Sequence, residues 1–167
     1  MGWFFGYNNL EKRDVIHEVT QDQSSDGKVL RTLRKCCRGN VLYVLHESGP
    51  EGNTKKWICV YLLAKSDGVW GYKPVDEGMG PYETNCPVKY LDEADEPMND
   101  YAKEWRAKVR ERAVRRASKK PKAGELWKLR DGCRPAQVRI TSVRPLRGEA
   151  SGTSYRLPRK YLDCRVE

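Results

Sequence analysis

The sequence predicts an α+β protein that combines an antiparallel sheet with flanking helices, a long basic helix and a small SH3-like β-barrel at the C-terminus. Three observations lead to this fold class. Runs of β-branched and aromatic residues separated by short turns predict strands in the first half of the chain. An apolar residue recurs every four positions near 100–120, and short alternating segments with Gly-containing turns follow after 124.

The predicted organisation has three parts, which the length of 167 residues can accommodate as small domains. Residues 1–95 form an α+β domain, residues 96–122 an acidic linker and the basic helix, and residues 123–167 a small SH3-like all-β domain. So small a barrel has a thin core, and we expect it to need support from a neighbouring element.

In the first part, apolar spacing predicts a short helix over 10–20, with Val15, Ile16 and Val19 on one face. The segment 29–37 is ambiguous between helix and strand, although its apolar residues fit a helical face better than they fit alternation. Strands are predicted at 41–46, 57–64 and 69–72, and the continuous apolar run of the second indicates a central position. Two Pro and two Gly make 76–87 a structured loop.

The predicted helix at 100–120 carries a narrow apolar stripe within a strongly basic surface. The stripe consists of Tyr101, Trp105, Val109, Ala113 and Ala117. Residues 103–122 contain ten Lys or Arg and two Glu, and a proline at 121 ends the helix.

After residue 124 we expect four short strands, at 125–129, 136–143, 153–156 and 161–166. The segment 147–152, with a glycine at each end of its polar run, is expected to be a turn.

Several classes of protein are not favoured by this composition. The longest apolar run, Ile58 to Ala64, is shorter than the roughly 20 residues of a membrane helix, and the N-terminus does not resemble a secretory signal. We therefore expect a cytoplasmic protein with free thiols and no membrane partner. Six Cys without Cys-x-x-Cys spacing, two separated His, and the lack of nucleotide-binding motifs predict no metal and no cofactor.

The charge distribution indicates a polyanionic partner. Residues 1–98 hold 12 basic and 15 acidic residues, whereas residues 99–167 hold 20 basic and 8 acidic residues. This imbalance favours nucleic acid, DNA or RNA, although a basic surface can also serve solubility alone. The candidate phosphate-contacting residues are Lys103, Arg106, Arg110, Arg112, Arg115, Arg116, Lys119, Lys120, Arg139, Arg156, Arg159 and Lys160.

A catalytic hypothesis rests on Cys86 as a nucleophile, with His46 or His17 as its base and Asp76 or Glu77 to orient the His. Asp76 and Glu77 are also candidate ligands for Mg²⁺ in phosphodiester cleavage. The alternative is that the aromatic residues and prolines of this loop pack as a rigid cover over the sheet, with a buried thiol.

Three stretches of the sequence resemble an uncharacterised family of small proteins found mainly on bacteriophages, prophages and plasmids. They are Met1-Gly2-Trp3, the turn and strand at 38–42, and the segment from Trp70 to Tyr82 that continues into Cys86-Pro87 and Tyr90-Leu91-Asp92. The similarity covers roughly residues 1–110. Gly78 departs from it, because the family more often has Ser there. The resemblance implies an accessory protein of a mobile element in the bacterial cytoplasm.

The leading expectation is a non-enzymatic accessory protein that clamps nucleic-acid phosphates with the basic helix and the barrel. A second hypothesis is an inhibitor of a host or defence protein that makes contact through the aromatic loop 70–90, with Trp70, Tyr72 and Tyr82 as candidates. The third is the Cys- or metal-dependent enzyme outlined above.

Overall fold

The fold is described from a computed structural model, which covers residues 2–6, 8–118, 120–130, 133–158 and 162–165. It is a mixed α+β structure with two antiparallel sheets. The chain divides into two compact units, 1–113 and 114–167. The first unit holds 17 basic and 18 acidic residues, and the second holds 15 basic and 5 acidic residues.

The first unit is built on a six-stranded sheet of order β1-β6-β5-β4-β3-β2. Its strands are β1 (Phe4–Phe5), β2 (Gln23–Ser25), β3 (Lys28–Arg38), β4 (Val41–Pro50), β5 (Lys55–Ser66) and β6 (Val69–Asp76). The helices of this unit are α1 (Lys12–Val19) and α2 (Val88–Glu93), and a 3-10 turn occupies Glu77–Met79. Helix α3 (Asp100–Ser118) begins in the first unit and ends in the second.

The centre of this sheet is buried on both faces, as the apolar run of β5 predicts. On one face Tyr43, Leu45 and Val60 pack with residues of α2 and α3. On the other face Leu42 and Val44 pack beneath α1. Successive residues of β4 therefore enter different cores, because side chains alternate along a strand.

Strand β3 corrects the expectation of a helical face at 29–37. A β-bulge lies between Thr32 and Arg34, where Leu33 has no partner on β4. Odd-numbered residues share the α3 face before the bulge and even-numbered residues share it afterwards, so Arg31 and Cys36 point to the same side. The extra residue breaks the two-residue alternation and leaves apolar positions at helix-like intervals.

The segments that follow β6 also differ in detail from the expectation. Helix α2 places Tyr90 and Leu91 in the core, between the predicted loop at 76–87 and the acidic linker, where the sequence predicts no helix. In α3, Trp105 and Val109 are buried as expected, whereas Tyr101 is 66% exposed and does not belong to the buried stripe.

The second unit contains a five-stranded antiparallel sheet of order β10-β9-β8-β7-β11. Its strands are β7 (Leu126–Leu129), β8 (Gln137–Val143), β9 (Leu146–Ala150), β10 (Thr153–Arg156) and β11 (Leu162–Arg165). One face forms a core with Trp127, Val138 and Ile140 at its centre.

The polar turn expected at 147–152 is wrong, because Leu146–Ala150 is strand β9 and the turn is confined to Ser151 and Gly152. Gly148 is a strand residue that lies against Leu157. A Cβ at Gly148 would come within 2.7 Å of the Leu157 side chain. The glycine therefore reflects close packing across the strand and not a reversal of the chain.

A buried ion pair fixes α3 and the 3-10 turn to the first sheet. Arg106 donates from Nε to Glu77 Oε2 at 2.5 Å and from one terminal nitrogen to Oε1 at 2.7 Å. Its other terminal nitrogen donates to the Asp95 carbonyl at 2.7 Å, and the Ile58 amide donates to Glu77 Oε1 at 3.2 Å. The two side chains are 9% and 1% exposed, so both charges depend on these partners.

We expect Arg106→Met to lower the free energy of unfolding by about 3–5 kcal/mol, because it leaves the Glu77 carboxylate buried without a partner. The matched control is Lys108→Met, which removes an exposed ion pair to Glu104 on the same helix. The control should cost less than about 1 kcal/mol. Urea unfolding measures both, and equal losses would contradict a structural role for the buried pair.

Candidate functional site

The loop that connects the 3-10 turn to α2 is held by two aromatic side chains of the core. The backbone amide of Asn85 donates to the Tyr43 hydroxyl at 3.1 Å. The indole Nε1 of Trp105 donates to the Glu83 carbonyl at 3.1 Å. The loop is thus part of the packed structure over one face of the sheet.

Cys86 lies inside this packing and does not have the surroundings of a nucleophile. The residue is 5% exposed and packs with Tyr43, Leu45 and Tyr90. Burial raises the pKa of the Cys86 thiol well above its ordinary value, which suppresses the thiolate.

His46 lies on the other face of the sheet and therefore does not act as a base for Cys86. It is 1% exposed, and its Nε2 is 2.9 Å from the Tyr61 hydroxyl. Among the described residues, His46 Nδ1 has no hydrogen-bond partner. Burial lowers the pKa of His46 to about 4.

The two acidic candidates line the same pocket, but Glu77 is already bound by the protein. Glu77 is buried and bound by Arg106, so its carboxylate is not open to a metal ion. Asp76 and Glu77 both line a pocket of about 390 Å³, together with Trp57, Lys55 and Glu96. The structure thus does not bring Cys86, His46, Asp76 and Glu77 into one site.

Because the His46 pKa is about 4 in the folded chain and about 6.5 when unfolded, the unfolded chain binds more protons between these values. The contribution of His46 to the free energy of unfolding should therefore be complete above pH 6.5. It should fall by about 3 kcal/mol as the pH drops to 4.

His46→Gln should flatten this part of the stability profile, whereas His17→Gln, at an exposed position of α1, should leave it unchanged. Urea unfolding between pH 4 and 7 measures the profile. An unaltered slope in His46→Gln would contradict this assignment.

The basic residues of α3 differ in their exposure. Arg106 is buried against Glu77, Arg112 is half-buried and donates to the Thr84 hydroxyl at 3.2 Å, and the exposed Arg110 pairs with Asp92 at 2.9 Å. Arg106 is therefore not accessible to a phosphate, which corrects its inclusion among the binding candidates. The exposed basic candidates on or just after the helix are Lys103, Arg110, Arg115, Arg116 and Lys120.

In the second sheet, the exposed face is rich in arginine. Arg147 of β9 and Arg156 of β10 are directly opposite in the strand register, and both are exposed. Arg139 of β8 is exposed as well and donates to the Gly124 carbonyl at 2.8 Å. Lys119, Arg159 and Lys160 lie outside the described residues.

The Arg147–Arg156 pair could not be found by counting charge, because a strand assignment is needed to bring the two residues together. The expected turn at 147–152 concealed it. In 146–150, apolar or small residues alternate with charged ones, and this is the sequence signal that would have revealed β9.

The three aromatic contact candidates do not form one surface. Trp70 and Tyr72 pack on the α1 side of the sheet, where Tyr72 stacks on Phe4 with ring centroids 5.5 Å apart. Tyr82 is 97% exposed and lines a pocket of about 250 Å³ next to Leu62, a residue that packs against the opposite core.

Comparison with protein-family models, with curated proteins and with solved structures found no match. Within the described part of the chain, none of the helices has the length and apolar content needed to cross a membrane.

Proposed function

We propose that this protein is a nucleic-acid-binding accessory protein of a phage or plasmid, and that its C-terminal unit contacts the phosphates. The observation that carries the proposal is the Arg147–Arg156 register pair on the exposed face of the second sheet. This pair belongs to a unit with 15 basic and 5 acidic residues. Affinity would be dominated by the phosphate backbone, with weak sequence preference.

The register pair favours an anion on physical grounds. Residues directly opposite on antiparallel strands have Cβ atoms about 4.5–5.5 Å apart, and like charges at this spacing destabilise the sheet. A phosphate between two guanidinium groups replaces repulsion with charge-assisted hydrogen bonds. The planar donors of arginine fit phosphate oxygens in pairs, which a lysine ammonium does not match.

The finer architecture of this unit is part of the proposal. We propose that the five strands form a small SH3-like barrel around the Trp127 core and that α3 is the long basic helix expected from the sequence. Five short antiparallel strands and a single core support the barrel. The exposed residues Arg115, Arg116 and Lys120 support a phosphate-contacting role for the last turns of the helix and the segment after it.

The proposed phosphate contacts of Arg147 and Arg156 are tested by the salt dependence of binding to a random-sequence DNA duplex, measured by fluorescence anisotropy. Arg147→Gln/Arg156→Gln should reduce the slope of log K against log salt by about 2, because two phosphate contacts are lost. Affinity at low salt should fall accordingly.

The control is Arg13→Gln/Lys65→Gln, which removes two exposed positive charges from the first unit. It should leave the slope unchanged. Equal changes of slope in the two double variants, or no DNA binding by the unaltered protein, would overturn the proposed phosphate contacts.

A second candidate function is inhibition of a host or defence protein, and Tyr82 favours it. A tyrosine that is 97% exposed adds nothing to the core and is a typical interface residue. The pocket beside it, lined by Met79, Pro81 and Leu62, offers a partner side chain about 250 Å³ of space.

Under this second function, Tyr82→Ser should abolish capture of a host protein from a nuclease-treated bacterial extract. Leu10→Ser, which changes another residue with 65% exposure, should leave capture intact. Affinity capture with quantification of the bound protein makes the comparison. Capture that survives in Tyr82→Ser would exclude this loop as the contact.

A further inference from the structure

We propose that the outer edge of β3 binds an extended acidic segment of a partner protein by β-strand addition. This goes beyond nucleic-acid binding, because it concerns the first unit and a different ligand class. The segment in question, called the β3 edge here, is Leu33–Arg38.

The outer side of strand β3 is open along most of its length. Strand β2 pairs with β3 only through Lys28, Val29 and Leu30, whereas β3 pairs with β4 as far as Arg38. Among the described residues, no backbone hydrogen bond reaches the outer side of the β3 edge. An unpaired strand edge is a template for a further strand.

The hairpin geometry shows which backbone groups point outward. The turn at Gly39 and Asn40 has two residues, so Arg38 and Val41 form a hydrogen-bonded pair. Directions alternate along the strand, and Cys36 therefore also points its backbone groups toward β4. Lys35 and Cys37 direct their N–H and C=O groups outward.

A carboxylate of the protein already binds the outer side of β3 at Thr32, just before the β3 edge begins. The outward amide of Thr32 donates to Asp22 Oδ1 at 2.8 Å. An acidic side chain therefore already satisfies one amide of the same strand, just before the bulge.

Charge then selects the partner. Arg34, Lys35 and Arg38 are exposed along the β3 edge, and Arg34 shares a 3.1 Å contact with Glu93. A second copy of this chain would place a basic edge against a basic edge, which is unfavourable. A nucleic-acid phosphate offers acceptors only, so the outward carbonyls of Lys35 and Cys37 would stay unpaired. An acidic extended peptide matches both the charge and the alternating donors and acceptors.

The probe is an acetylated and amidated heptapeptide of alternating Glu and Val. Amide hydrogen exchange followed by NMR should slow at Lys35 and Cys37 when the peptide is added. Arg34 and Cys36, whose amides already pair with β4, should change little. Protection elsewhere, or none at the β3 edge, would overturn the proposal.

Two variants separate the backbone from the charge. Lys35→Pro removes the outward amide without removing a hydrogen bond to β4, whereas Lys35→Gln removes only the charge. The affinity for the peptide should be roughly tenfold lower in Lys35→Pro than in Lys35→Gln. Lys65→Gln, on β5, is the charge control and should bind the peptide normally.

A peptide of the same sequence with methylated backbone nitrogens tests the same point without altering the protein. It keeps its charge but lacks donors, and it should not bind. Equal affinity of the methylated peptide would show simple charge attraction and overturn strand addition. Two results would overturn the choice of an acidic peptide. One is a dimer in sedimentation that Lys35→Pro abolishes, and the other is complete displacement of the peptide by a DNA duplex.

Discussion

The arrangement of the first unit depends on one buried ion pair. Arg106 reaches from α3 to Glu77, and Glu77 in turn accepts the amide of Ile58 at the start of the buried part of β5. The pair joins the helix, the 3-10 turn and the sheet in one network whose charges are almost fully buried. The same network removes one basic and one acidic residue from the set available for binding or catalysis.

Charge and core are divided between the two units in different ways. The first unit is nearly neutral and has two cores, one on each face of its sheet. The second carries the excess positive charge on a small sheet with one core, so its other face is free to carry arginines. A sheet covered on both faces leaves its edges and loops for contact, and a sheet covered on one face offers a whole surface.

The sequence predicted the α+β class, the strands β4 and β5, and the burial of Trp105. The two strands are continuous runs of β-branched and aromatic residues, and Trp105 lies in an apolar repeat of four residues. It failed at β3, where the bulge at Leu33 disrupts the alternation, and at β9, where Gly148 imitates a turn. The candidate site was less predictable. Whether Arg106 or Arg156 faces solvent depends on partners distant in sequence. Cys86 packs against Leu45, and the next residue of β4, His46, points to the opposite face of the sheet.

The bulge has a consequence for the comparison of related chains. Because Leu33 is the one unpaired residue between Thr32 and Arg34, its deletion restores regular alternation and leaves every other residue of β3 on its present face. A relative that lacks this residue would therefore keep the same fold with a one-residue gap in the middle of a strand. An alignment that forbids gaps inside strands would place that gap in the neighbouring turn and shift the whole basic edge by one position.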